Sequence, residues 1–170
     1  MKPVRILGID PGFGRLGVSV VDKIDGKETL VFSSCFVTQP KDSFASRLAH
    51  IAYGLEEILK KYKPNHLAIE TLFLTKNQKT VMFVAEVRGV VVYLCHKQGL
   101  SIFEYSPPQI KSAITGYGKS SKNDIAFMVS KILKMDIPKN KLDDEVDAIA
   151  VALTHSANYK PFLNIPQHTH

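Results

Sequence analysis

The run Arg5-Ile6-Leu7-Gly8-Ile9-Asp10-Pro11-Gly12 constrains everything that follows it. Its apolar stretch is too short for a comfortable helix, and a Pro-Gly breaker stops it just after a carboxylate. It therefore reads as a buried strand that presents Asp10 at its exposed end. A lone acid at such an edge calls for a cation. Two distant points offer acidic partners for one: Glu70, which closes the apolar run His66-Leu67-Ala68-Ile69, and the cluster Asp143-Asp144-Glu145-Val146-Asp147.

The elements between these points follow from pattern. Leu16 to Val21 and Leu30 to Val37 are β-rich runs, and the Asp25-Gly26 pair between them tolerates positive φ, a strong hairpin signal. The first three strands are predicted to form an antiparallel meander. Ser43 reads as the N-cap of a helix of about five turns, with Leu48, Ile51, Leu55 and Ile58 at helical spacing and an end before Pro64. A short strand to Glu70 leads through the polar loop Thr75 to Lys79 into a second helix, stopped at Gly99. That helix is apolar on more than one face, so it either lies deep in the core or shares a face with a second subunit. Ser101 to Tyr105 makes a fifth strand, closed by Pro107-Pro108. The alternation of strand and helix in this half predicts parallel crossovers. A short helix from Gln109, a Gly-rich basic turn over Gly116 to Lys122, a helix through Ile125 and Val129, and a last helix from Asp143 to about Ser156 complete the order. The expected class is α/β: a mixed five-stranded sheet, antiparallel over its first three strands and parallel thereafter, flanked by helices. One domain over residues 1–157 and a flexible tail over 158–170 are expected, the tail because it has two prolines and no periodicity.

Asp144 and Asp147 stand three residues apart on a helix, with β-carbons about 5 to 6 Å from each other. Two such carboxylates repel, and the arrangement makes sense with a cation between them. Asp143, four residues before Asp147, could take the place of Asp144, and sequence leaves that choice open. Hard oxygen donors suit Mg²⁺ or Mn²⁺, and no His-Cys cluster offers the softer donors zinc prefers. Four carboxylates are about what a two-metal phosphodiesterase site requires. Each acid also has an ordinary reading: Asp10 as the first residue of a turn, Glu70 as a solvated strand end, the C-terminal cluster as an N-cap with first-turn acids facing the helix dipole. Three such coincidences at one end of a sheet are harder to accept together.

The charge balance points the same way. Lys plus Arg outnumber Asp plus Glu by 22 to 16, and between Lys111 and Lys141 seven lysines face only Asp124 and Asp136. Clustered cations gain affinity for a phosphate backbone by displacing counterions. Lys76, Lys111, Lys119 and Lys122 are candidate contacts to such a DNA backbone, although Lys111, Lys119 and Lys122 taken singly read as ordinary surface lysines and the whole stretch as a solvated basic face. Phe73, in a polar loop, is a candidate for stacking on an unpaired base. Cys35 and Cys95 define neither a disulfide framework nor a metal site. The most apolar segment, Val81 to Cys95, is broken by Glu86 and Arg88 and is shorter than the roughly 20 residues of a membrane span. A soluble cytoplasmic protein with no membrane partner is expected. His66, His96 and His155 read as structural.

On Leu7-Gly8-Ile9-Asp10-Pro11-Gly12, Ala68-Ile69-Glu70 with Phe73, Phe103-Glu104-Tyr105 with Lys111, and Asp144 to Ala152 ending in Thr154-His155, the chain resembles the RuvC family of Holliday-junction resolvases nearly to Tyr159. The resemblance implies a ribonuclease-H-like fold. It places Asp10, Glu70, Asp144 and Asp147 at the metal-binding catalytic positions, Lys111 and Lys122 at lysines that contact or neutralise the scissile phosphate, and Phe73 at an aromatic that stacks in the opened junction. It implies a Mg²⁺-dependent endodeoxyribonuclease of recombination and repair, with two ions per site and Mn²⁺ as a substitute. A homodimer would make paired symmetric nicks in four-way junction DNA, leaving 5′-phosphate and 3′-hydroxyl ends, in cooperation with a branch-migration motor. Two other classes fit less well. An architectural junction binder has no use for four acids. An actin-like ATPase needs a second phosphate loop and lobe that the chain lacks. Ribonuclease H proper carries its second acid on the first helix, where this chain has only Glu56 and Glu57 near the end.

Overall fold

The computed structural model describes residues 3–72, 78–136 and 142–159. Strands β1 (Val4–Asp10), β2 (Arg15–Ile24) and β3 (Lys27–Val37) form the antiparallel meander, and helix α1 (Phe44–Tyr62) carries the chain across to β4 (His66–Glu70). Helix α2 (Gln78–Lys97) then leads to β5 (Ser101–Tyr105). The sheet order is β3-β2-β1-β4-β5, with β4 parallel to both β1 and β5. Helices α3 (Pro107–Thr115), α4 (Lys122–Leu133) and α5 (Asp143–Asn158) follow. The mixed five-stranded sheet is the one expected from pattern.

Local chemistry sets the boundaries. Asp25 and Gly26 both have positive φ, 48° and 78°, which lets β2 and β3 pair to their tips, beyond the runs that β-rich composition marked. Ser43 accepts from the Ser46 N–H at the start of α1. Pro107 and Pro108, expected to close β5, stand inside the first turn of α3, where a missing N–H has no intrahelical partner to lose. The last helix also runs further than expected. Asn158 belongs to α5, and Tyr159 packs edge-on to His66 at 4.6 Å between centroids, because an aromatic ring has apolar surface to bury there. The remaining residues of the expected tail lie outside the described residues.

Strand alternation sends successive side chains to two helical layers. Leu7, Ile9, Val18, Val20, Leu67 and Ile69 join a core with α1 and α2, whereas Ile6, Val21 and Ala68 join one with α3, α4 and α5. On this second face the positions under α5 are small. A methyl group on Gly17 would run into the Asp144 carbonyl oxygen, and one on Gly8 into the Ala148 carbonyl and Ala152. The Ser19 hydroxyl donates to the Ala148 carbonyl at 2.9 Å. Helix α5 thus lies with its backbone almost on the sheet. His155, on the same helix, is fully buried between His66 and Tyr105, 2.8 Å from each, and burial pushes its imidazole down to about 4. It is the structural histidine expected. Among the described residues no helix is long and apolar enough to cross a membrane.

Gly17→Ala is expected to lower stability by about 1–3 kcal/mol, the cost of overpacking a filled contact. Denaturant titration measures it, and a midpoint equal to wild type would show that α5 can retreat without penalty.

Candidate active site

Asp10 ends β1 on the face that looks at α5, two residues beyond Gly8 on the same side of the strand. Glu70 ends β4 in the same way, two residues beyond Ala68. The parallel register Ile9↔Ile69 places these two acids side by side at one end of the sheet. Helix α5 supplies the others. Asp144 lies one turn before Ala148 on the stripe that meets the sheet, and Asp147 follows on the same face.

Proximity is visible in the acids' protonation. Burial, then the charges of Glu70, Asp147 and Asp144, push the Asp10 carboxyl up to about 7. Glu70 is raised by burial and by Asp147, and relieved by Lys122 and Lys111. Asp143 takes no part in these effects on Asp10 and Glu70. Its side chain is 77% exposed against 20% for Asp144, so Asp144 faces inward and Asp143 outward.

Cations border the acids. A reciprocal cap between Ser121 and Asp124 fixes the start of α4, and the first helical residue, Lys122, reaches across to donate to Asp147 Oδ2 at 2.9 Å. Its ammonium is held above its ordinary range, chiefly by that hydrogen bond. Lys111 is half-buried on α3 beside Pro107, Pro108 and Gly118, and Lys119 is exposed in the turn before α4. Phe73 and Lys76 lie outside the described residues. A cleft of about 160 Å³ opens at Asp10 and Glu70, walled by Pro11, Thr71, Leu72 and, from α2, Thr80, Val81 and Val84.

One charged neighbour was not foreseen. Arg15, the first residue of β2, points its Nε at Asp144 Oδ2 from 3.3 Å. Its position five residues after Asp10, on the returning leg of the same hairpin, was the available signal. Even so, Asp144 Oδ2 is buried without a hydrogen bond among the described residues. Nor do three acidic, His or Cys side chains among those residues converge as a ready-made metal cage. Asp10 and Glu70 line the cleft, while Asp147 and Asp144 stand beside Lys122 and Arg15. Hard carboxylate donors, mutual repulsion and an orphaned buried oxygen together fit a divalent cation better than they fit a permanent set of ion pairs.

Comparison with known proteins identifies the family. The family model described as crossover junction endodeoxyribonuclease RuvC matches residues 6–155. The RuvC protein of Caldanaerobacter subterraneus subsp. tengcongensis is 41% identical over 153 residues, covering 89% of this chain and 92% of the relative. The Thermus thermophilus RuvC structure in complex with a Holliday junction substrate superposes with a TM-score of 0.84 at 30% identity, over 90% of this chain and 93% of that one. The yeast mitochondrial Holliday junction resolvase shares the fold, with a TM-score of 0.67 at 15% identity over 91% of this chain and 78% of that one. The match of sequence and fold along nearly the whole described body, from β1 to His155, means that this chain belongs to the RuvC family of crossover junction endodeoxyribonucleases.

Proposed function

We propose that the protein resolves four-way DNA junctions by paired, metal-dependent phosphodiester hydrolysis. The observation that carries this reading is the meeting of Asp10, Glu70, Asp144 and Asp147 at one end of the sheet, with Lys122 against them. The four carboxylates would hold Mg²⁺, two ions per site, with Mn²⁺ able to replace it. Bound there, the metal would supply activation of water and stabilisation of the leaving oxygen.

The chain's own residues do the rest. Asp10 and Glu70, on rigid strand ends, fix the floor of the site, and Asp144 and Asp147 close it from α5. With Asp147 among the metal ligands, Lys122 would be free to neutralise the scissile phosphate. Lys111 lies close enough to influence Glu70 and would serve the same phosphate from α3. Lys119, exposed nearby, and Lys76 would contact the DNA backbone, and Phe73 would stack on an unpaired base. The products would carry 5′-phosphate and 3′-hydroxyl ends that a ligase can join. The family resemblance adds cooperation with a branch-migration motor.

A homodimer is part of the proposal because two symmetric nicks need two sites. Helix α2 supports it. Val87, Val91, Leu94 and Cys95 are buried, while Met82 and Tyr93, each 63% exposed, lie on an outward stripe with Ala85 and Gly89. Nothing described approaches the Gly89 α-carbon where a side chain would stand, so a second helix could come close.

Asp10→Asn is expected to reduce Mg²⁺-dependent junction cleavage at least about a hundredfold while leaving junction binding within a few-fold, since the loss is of a transition-state interaction. Labelled four-way junction and matched duplex, each with Mg²⁺ and with EDTA, test this, and turnover by the variant would refute the assignment. The raised Asp10 carboxyl gives a second expectation. Its folded value of about 7 exceeds its ordinary 3.8. Its contribution to metal-free stability is therefore full below about pH 4 and lost as pH rises through 7. The melting temperature of Asp10→Asn should climb relative to wild type across that window, and Mg²⁺ should raise the wild-type value by binding only the folded state. Parallel pH curves, or a melt indifferent to Mg²⁺, would count against both. Tyr93→Glu should shift the protein toward monomer in sedimentation, and an unchanged mass would move the dimer face elsewhere.

A further inference from the structure

The four arginines of the chain are used very differently. Arg5 makes two 2.7 Å hydrogen bonds to Asp22 and one of 2.8 Å to the Tyr62 carbonyl. Arg47 lies 3.6 Å over the Phe13 ring and donates to Thr38 Oγ1 at 2.9 Å. Arg88 pairs with Glu104 at 2.5 Å. These three are structural ties. Arg15 is 54% exposed and meets Asp144 Oδ2 at 3.3 Å, within ion-pair distance but without hydrogen-bond geometry, so the oxygen it faces remains without a hydrogen bond among the described residues. A guanidinium in its proper place would use its planar fork on that carboxylate.

We propose that Arg15 is an exchangeable counter-cation of the acidic site: it stands against Asp144 in the metal-free protein and turns to a phosphate of the bound DNA strand when a divalent cation claims that carboxylate. This rests on the metal-dependent nuclease reading above and adds a residue to it. The geometry supports the exchange from both ends. The pair is loose, without hydrogen-bond geometry, and Arg15 is itself 54% exposed, so a divalent cation would displace the guanidinium at little cost. With Asp144 given to the metal, Arg15 would carry an uncompensated charge beside the acids, while Lys122 approaches Asp147 from α4. The planar guanidinium matches phosphate oxygens two at a time. Arg15 is thus a positioning residue: it keeps the empty site from repelling itself and then holds the strand.

The test uses wild type, R15Q and R15K. Calorimetric titration with Mn²⁺ in the absence of DNA should show R15Q binding about two- to fivefold more tightly than wild type, because the competitor for Asp144 is gone. Four-way junction binding in Ca²⁺ across a salt series should weaken, with the log–log salt slope shallower by about 0.9, the loss of one phosphate contact. R15K should retain the wild-type slope, since its charge remains. R15Q that binds Mn²⁺ no more tightly than wild type, or that keeps the wild-type salt slope, overturns the exchange while the nuclease reading stands. Wild type that takes up no Mn²⁺ overturns the metal reading and the exchange with it. Circular dichroism melts of the variants confirm that all three proteins are folded.

Discussion

The close approach of α5 to the sheet is the constraint on which the acidic site depends. Gly8, Gly17 and Ser19 leave no side-chain bulk beneath the helix, and Ala148 and Ala152 leave little above it. Gly17 is also the antiparallel partner of Asp10, so the residue that admits the Asp144 backbone lies directly across from the acid that Asp144 must meet. A larger residue at this one position would separate the two halves of the site. Packing of this density relaxes poorly, so a misfit at Gly17 would be felt at the carboxylates.

Gathering acids so closely is costly, and the described site shows how the cost is divided. Part falls on protonation: the Asp10 carboxyl rises to about 7 because burial and three neighbouring charges disfavour its anion. Part falls on borrowed cations, with Lys122 on Asp147 and Arg15 near Asp144. Both devices would release the carboxylates to a divalent ion in the proposed metal-bound site. In the metal-dependent reading proposed above, the repulsion that weakens the metal-free site would be the source of its affinity for a divalent ion, an instance of local strain kept where function uses it.

Much of this could be read from the residues in order. The strand ending in Asp10, the Asp25-Gly26 hairpin, the Ser43 cap and the mixed sheet all follow from local rules, and each acid stood at the end of an element that could be drawn without a structure. What sequence could not supply was relative placement. Asp143 and Asp144 are equivalent by helical spacing relative to Asp147, and only the contact of α5 with Gly17 turns one inward and the other out. Arg15 was overlooked because its partner lies far away in the chain. The prolines at 107 and 108 misled for a different reason: they break a strand and begin a helix equally well, and Gln109, which accepts from the Ser106 N–H at 2.8 Å, decides in favour of the helix.

Helix α2 connects the site to the rest of the molecule in a way that its composition foreshadowed. A helix apolar on several faces has several surfaces to satisfy, and here each meets something different. Thr80, Val81 and Val84 wall the acidic cleft, and Phe83 closes an aromatic cluster with Phe13 and Phe44, at 4.8 and 5.1 Å between centroids. Phe13 belongs to the hairpin that leaves Asp10, and its carbonyl accepts from Thr38 Oγ1 at 2.8 Å. Val87 and Val91 reach the core, and the stripe through Met82, Gly89 and Tyr93 looks outward. A partner subunit seated on that stripe would press on the same rigid rod that lines the cleft and clasps the hairpin leaving Asp10. In the dimer proposed above, assembly and the shape of each acidic site would be properties of one helix, and an α-helix held on three sides moves as a unit or not at all.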